Sequence, residues 1–126
     1  MTYIIHGNPI TKKNSQRLVY AGGRPRIIPS AQFKAYETAA LYQLNVQALD
    51  RIIDYPVNIG CVYYMQTLRK VDLCNLLEAT MDILVDAKII ADDNAKIVAG
   101  HDGSTVRYDK DNPRVEIVIK KMEEVE

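Results

Sequence analysis

The sequence predicts an α+β fold: a single small domain in which a mixed or mainly antiparallel sheet packs against two main helices. Three observations predict it. Two segments, near 31–49 and 73–87, space their apolar residues by three and four, as amphipathic helices do. Several shorter stretches alternate apolar residues with others, as half-buried strands do. No repeat and no linker-like stretch divides the 126 residues, a length that suits one core better than two.

TYIIH (2–6) has strand character, and the turn formers of GNPITKKNSQ (7–16) follow it. RLVYAGGRPRII (17–28) reads as two short strands around Gly22-Gly23, a hairpin. Pro25 has no N–H to give a central ladder, so its arm belongs at an edge. Ser30 is placed to cap a helix over 31–49, whose apolar side is Phe33, Tyr36, Ala40, Leu41 and Leu44. After Pro56, VNIGCVYYMQ (57–66) alternates Val57, Ile59, Cys61, Tyr63 and Met65 with the other face. A second helix starts just after Asp72 and runs to about Ala87. Leu73, Leu76, Leu77, Thr80, Leu84 and Ala87 are its buried stripe, and Asn75, Glu78, Asp82 and Asp86 lie on a neighbouring polar face. AKIVAGHD (95–102) and RVEIVIK (114–120) are the last strands, with STVRYDKDNP read as a polar turn between them and KMEEVE as a frayed tail.

Apolar residues make up 48% and charged residues 25% of the chain, which excludes a disordered composition. No run approaches the roughly 20 apolar residues that span a bilayer, and MTYIIHGNPITKK does not resemble a secretory leader. Cys61 and Cys74 fit no metal-knuckle or CxxC spacing. A reduced, cytoplasmic protein is the simplest expectation. GxxxxGK[ST] and GxGxxG are absent, and no serine has a visible His/Asp partnership. Nucleotide cofactors and serine nucleophiles are therefore unsupported. His101, at the end of a strand, reads as a hydrogen-bonded histidine ahead of a metal or general-base role.

The net charge of zero conceals a division. Residues 1–36 hold Lys12, Lys13, Arg17, Arg24, Arg26 and Lys34 and no acid, which leaves ten basic groups against all sixteen acids in the remainder. Arg69 and Lys70 stand immediately before Val71-Asp72. Such cations among polar residues suit contact with backbone phosphates. Tyr20 and Tyr36 are candidates to stack on an unpaired base, although the helical spacing of Tyr36 favours the core.

From Asp72 to Asp93 the chain carries Asp72, Glu78, Asp82, Asp86, Asp92 and Asp93 against the single cation Lys88. Carboxylates crowded together repel and raise one another's pKa values, so a protein that gathers them tends to hold a metal. Oxygen donors of this kind suit Mg²⁺ or Mn²⁺, which orient and activate water in phosphodiester hydrolysis. The alternative is a solvated acidic helix face followed by an Asp-Asp turn. Spacing does not tell whether Asp92 and Asp93 return towards Asp72.

VDLCNLLEATMDILVDAKIIADDNAKIV resembles the core of the RusA family of Holliday-junction resolvases. The match lies in Asp72, Asn75-Leu76, Asp82-Ile83-Leu84 and Asp92-Asp93 at ungapped intervals. GNPITKKNSQR, RPRIIPS and NPRVEIVI are similar to the flanking parts of that family. The resemblance implies a small homodimeric, Mg²⁺-dependent endonuclease, with Mn²⁺ as the substitute. It would resolve four-way DNA junctions in recombination and repair, and such enzymes are often encoded by phages and prophages. Asp72 and Asp93 would be metal-binding catalytic carboxylates, with Asp92 and Asp82 as supporting acids. Lys12, Lys13, Arg17, Arg24, Arg26, Arg69 and Lys70 would contact DNA. The chain departs from the family pattern twice. Cys74 replaces a second aspartate, and Glu78 stands where a lysine is frequent. Glu78 lies one turn after Cys74, and its carboxylate is expected to restore the lost charge as a further metal ligand. Two other readings stay open: a branched-DNA-binding protein that does not cut, and a regulatory protein whose acidic helix binds a basic partner.

Overall fold

The strand Val57–Met65 (β4) sits at the centre of the architecture because its alternate side chains, Val57, Ile59, Cys61, Tyr63 and Met65, are all buried. The computed structural model describes residues 1–12, 16–48 and 51–122, and the backbone alone over 16–21 and 26–29. Before β4 come β1 (Thr2–His6), β2 (Gln16–Ala21), β3 (Arg24–Pro29) and α1 (Ala31–Gln47). After it come α2 (Leu73–Asp86), β5 (Val98–Gly100), β6 (Thr105–Tyr108) and β7 (Arg114–Lys121). Strands β1, β7 and β4 pair antiparallel in that order, and the other edge of β4 takes β5 and β6 in parallel. The result is the expected α+β architecture with a mixed, mainly antiparallel sheet. Strands β2 and β3 form a separate two-stranded ribbon around Gly22-Gly23, in which Pro25 needs no second neighbour.

One face of the main sheet carries Tyr3, Ile5, Val115, Ile117 and Ile119 beside the β4 residues, and both helices cover it. The Ser30 hydroxyl accepts the Phe33 N–H and caps α1, which buries Phe33, Ala40 and Leu44. Tyr36 packs against the same core, as its spacing implies, and burial raises its pKa. Helix α2 is buried more widely than the expected stripe, because Ala79, Met81 and Ile83 join Leu76, Leu77, Thr80 and Leu84. Leu73 and Ala87 are only partly buried at its ends. The Tyr63 hydroxyl donates to Thr80 Oγ1 at 2.7 Å, and Thr80 donates to the Leu76 carbonyl, so the buried hydroxyls are satisfied. Burial pushes the Cys61 thiol up to about 12, which keeps it protonated and inert. No helix among the described residues is long and apolar enough to cross a membrane.

Strand β1 would expose an unpaired edge, but two glutamines of α1 close it. Gln47 accepts the Ile4 N–H and donates to the Ile4 carbonyl, and Gln43 does the same for His6. Spaced one helical turn apart, they reproduce the ladder bonds of a missing strand.

Two expectations at the other edge need correction. The 104–113 segment is not all turn, since Thr105–Tyr108 pairs with Val62–Met65 as β6. The expected strand over 95–102 shrinks to three residues, which pair with β4 only at Val57 and Asn58. Side chains fill the gap between β5 and β6. Asn58 exchanges two hydrogen bonds with the Asp102 backbone, His101 Nδ1 donates to the Ile59 carbonyl at 2.9 Å, and Ser104 Oγ accepts the Cys61 N–H. His101 is thus the hydrogen-bonded residue its strand-end position suggests. Gly60 sits opposite the gap, where an added Cβ would lie 2.7 Å from the Asp102 carbonyl oxygen.

Candidate active site

Asp72 is the N-cap of α2. Its Oδ1 accepts the N–H groups of Cys74 (2.8 Å) and Asn75 (3.4 Å), satisfying donors that the first turn leaves unpaired. Asp82 lies ten residues further on, about 15 Å along the helix axis. Cys74, Glu78 and Asp82 follow one another at four-residue steps, so they share one side of α2. Cys74 and Glu78 are exposed and Asp82 is partly buried.

The chain does reverse after α2, but at the helix end away from Asp72. Lys88 adopts the left-handed conformation (φ 60°). The Lys88 N–H bonds to the Val85 carbonyl and the Ile89 N–H to the Leu84 carbonyl, the paired bonds that end a helix and reverse the chain. Ile89 and Ile90 are then buried, and Ile53 bonds through its backbone to Ile89 and Ala91. This anchoring places Asp92 and Asp93 beside the last turns of α2. Asp82, Asp86, Asp92, Asp93 and Val85, together with Lys12 and with Glu37 from α1, line a cavity of about 270 Å³. Asp72 is not among the lining residues.

The paired aspartates differ. Asp92 Oδ1 accepts the Asp93 N–H at 2.7 Å and Oδ2 accepts Asn94 Nδ2 at 3.0 Å. The Asp93 N–H first, then a bond with the Asp93 side chain and then Asn94, lower the Asp92 pKa. Asp92 therefore shapes the turn, and Asp93 contributes its charge to the cavity. Asp82 has a raised pKa, first from desolvation, then from the charges of Asp93, Glu78 and Asp86, while Lys12 at 4.0 Å opposes them. The folded protein holds the Asp82 proton more tightly than the unfolded chain does. Ionised Asp82 therefore costs stability, and the cost disappears as pH falls through its raised value towards the unfolded one. Asp82→Asn is expected to raise the melting temperature at pH 7 by about 1–3 °C, a small gain because the group is largely solvated. Parallel thermal melts at pH 7 and pH 4 check it, and the gain should shrink at pH 4.

Oxygen donors are the appropriate chemistry for Mg²⁺, which commonly takes one or two carboxylates and completes its shell with water and substrate phosphate. Among the described residues, no three or more His, Cys, Asp or Glu converge as a ready metal cage. The cavity thus supplies suitable donors without closing a coordination shell.

The expected DNA-contacting cations divide into groups. Lys12 lies in the acidic cavity. Lys13 is outside the described residues, as are the side chains of Arg17 and Arg26. The β2–β3 register puts positions 17, 24 and 26 on one face of the ribbon, and Arg24 is exposed. Arg69 and Lys70 are exposed in the loop before α2 and line a hollow with Asn8, Thr11 and Gln32. The sequence reading missed Glu37 and Arg107. Nothing in the spacing of α1 indicates that Glu37 meets acids more than forty residues away, and Arg107 lay within the segment read as a turn.

No individually curated protein matches the chain. The family model described as Endodeoxyribonuclease RusA matches residues 6–120, a span that takes in the ribbon, both helices, the main sheet apart from most of β1, and every acid of the cavity. On that match the chain belongs to the RusA endodeoxyribonuclease family.

Proposed function

We propose that the chain is a Mg²⁺-dependent endonuclease that cuts branched DNA, four-way junctions foremost, in recombination and repair. The observation that carries this reading is the return of Asp92-Asp93 onto Asp82 and Asp86, which gathers acids in a chain whose family cleaves DNA. Asp93 would hold the cation, with Asp82 and Asp92 in support; Asp72 and Glu78, the other expected ligands, do not line the cavity. Bound there, the ion would activate water and offset charge on the leaving oxygen. Asp92 fixes the turn from which Asp93 projects. Lys12 balances part of the negative charge next to Asp82. Arg24, Arg69 and Lys70, with Lys13, Arg17 and Arg26, would hold backbone phosphates, so binding should weaken steeply with salt. Paired cuts in strands related by an approximate two-fold axis call for two identical sites, which a C₂ homodimer supplies.

Cys74 favours a second reading, in which the protein binds branched DNA without cutting it, because a neutral thiol is a poorer Mg²⁺ ligand than a carboxylate. The field of Glu78 at Asp82 supports the first, since it keeps negative charge on the side of α2 that Cys74 begins. A labelled four-way junction incubated with and without Mg²⁺ separates them. Paired, metal-dependent nicks are the expected result. A retarded complex with no nicks under Mg²⁺ or Mn²⁺ would establish the silent binder, and no complex at low salt would leave the regulatory reading.

A further inference from the structure

The loop over residues 66–71 joins β4 to α2 and is tied at both ends. The Gln66 N–H donates to Asn8 Oδ1 at 2.9 Å, the Asp109 N–H donates to the Met65 carbonyl at 2.9 Å, and Asp72 caps the helix that follows. Between these anchors Leu68 is 82% exposed. A leucine presented to water on a tethered loop contributes nothing to the core, so the fold does not explain it. Strand β6 places more of the same chemistry beside it. Leu68, Val106, Tyr108 (48% exposed), Arg69 and Arg107 line, with Met65 and Thr67, an open hollow of about 300 Å³. Arg69 also lines the neighbouring hollow of about 350 Å³ that holds Lys70. An apolar and aromatic edge is thus set among three exposed cations, Arg69, Lys70 and Arg107.

We infer that the 66–71 loop and β6 form a wedge that receives an unstacked base of branched DNA. Leu68 and Tyr108 would meet the face of the base, and Arg69, Lys70 and Arg107 would hold the phosphates on either side of it. The inference rests on the nuclease reading and adds how junctions are told from duplex. Bases in an intact duplex are stacked and offer no free face, whereas those at a branch point are cheaper to unstack. An aromatic ring with adjacent cations gains from a free base of any sequence. A second copy of this chain is the other occupant such a surface could take. Charge argues against it, because a two-fold contact here would set Arg69, Lys70 and Arg107 against their own copies.

The test is fluorescence anisotropy without divalent metal, comparing a four-way junction with a duplex of the same arms. Parent, Leu68→Ala, Tyr108→Ala, Tyr108→Phe and Arg107→Ala proteins would be measured at one salt concentration. Leu68→Ala and Tyr108→Ala are each expected to lose about tenfold in junction affinity, as the loss of one stacking contact does, with duplex affinity within about twofold of the parent. Tyr108→Phe should keep the preference, and Arg107→Ala should weaken both DNAs alike. A 2-aminopurine at the branch point should change emission with the parent and not with Leu68→Ala. Unchanged junction preference in Leu68→Ala and Tyr108→Ala, while the parent binds junctions, would overturn the wedge and leave the nuclease reading standing. A parent that binds no junction would overturn both. Variants that change sedimentation mass without changing the preference would assign the surface to a second copy of the chain.

Discussion

Asp93→Asn is expected to slow cleavage of a four-way junction by about 10²–10³-fold, beyond the 10–100-fold typical of residues that only support a metal ligand. Asp92→Asn is expected to stay within about tenfold of the parent. The contrast follows from what the two adjacent carboxylates do. Both Asp92 oxygens bond within their own turn, to the Asp93 N–H and to Asn94, and the amide oxygen of an asparagine can still accept the first of these bonds. The Asp93 charge instead acts on Asp82 across the cavity, and a neutral amide in its place would no longer attract a cation. Single-turnover cleavage with saturating protein checks the pair, and anisotropy at the same protein concentrations should find junction binding retained in both variants. Equal losses at the two positions would mean that the turn, not the Asp93 charge, is what cleavage needs.

Gly60→Val is expected to destabilise the fold by about 3 kcal/mol, near the upper end of what overpacking costs. The Cβ at position 60 would stand 2.7 Å from the Asp102 carbonyl oxygen, a backbone atom that cannot swing aside as a side chain would. That backbone is itself held by two hydrogen bonds to Asn58, with the His101 and Ser104 bonds on either side. Relieving the clash would therefore disturb the whole crossing between β5 and β6. Urea unfolding followed by circular dichroism checks it, with the midpoint falling and the slope unchanged. A midpoint equal to the parent's would mean that the loop across the gap is not held in place.

The same crossing marks where sequence reading ran out. Strands β1, β4 and β7 were legible because each buries alternate side chains along most of its length. The ribbon was legible from Gly22-Gly23, and the helices from Ser30, Asp72 and the spacing of their apolar residues. Strand β6 was not, because it is a short parallel edge strand with little burial, set between Ser104 and the turn formers of DKDNP, so no period of two emerges. Strand β5 was overextended because its apparent continuation, His101-Asp102, bonds through side chains and not through a ladder.

The acids were legible as a group and their meeting was not. Lys88 occupies a left-handed position usually taken by glycine, so the chain reversal that carries Asp93 back to Asp82 has no visible signal in the sequence. Glu37 joins from a different helix, and only tertiary packing brings it there. The significance of Cys74 and Glu78 came from the family resemblance alone. In an unaligned sequence an exposed cysteine and an exposed glutamate on a helix carry no chemical message.

On the proposed function, the carboxylates gathered at the end of α2 would receive a divalent cation. The melting temperature of the parent and of Asp93→Asn, without DNA, measured as Mg²⁺ is raised against sodium chloride of matched ionic strength, tests it most directly. A cation that binds the folded protein alone stabilises it by mass action, by about 1.4 kcal/mol when its concentration is tenfold above Kd. The expected result is a rise of several degrees for the parent with Mg²⁺, beyond anything sodium produces, and a clearly smaller rise for Asp93→Asn. A parent that responds to Mg²⁺ no more than to matched sodium, or a variant that responds as fully as the parent, would contradict the account.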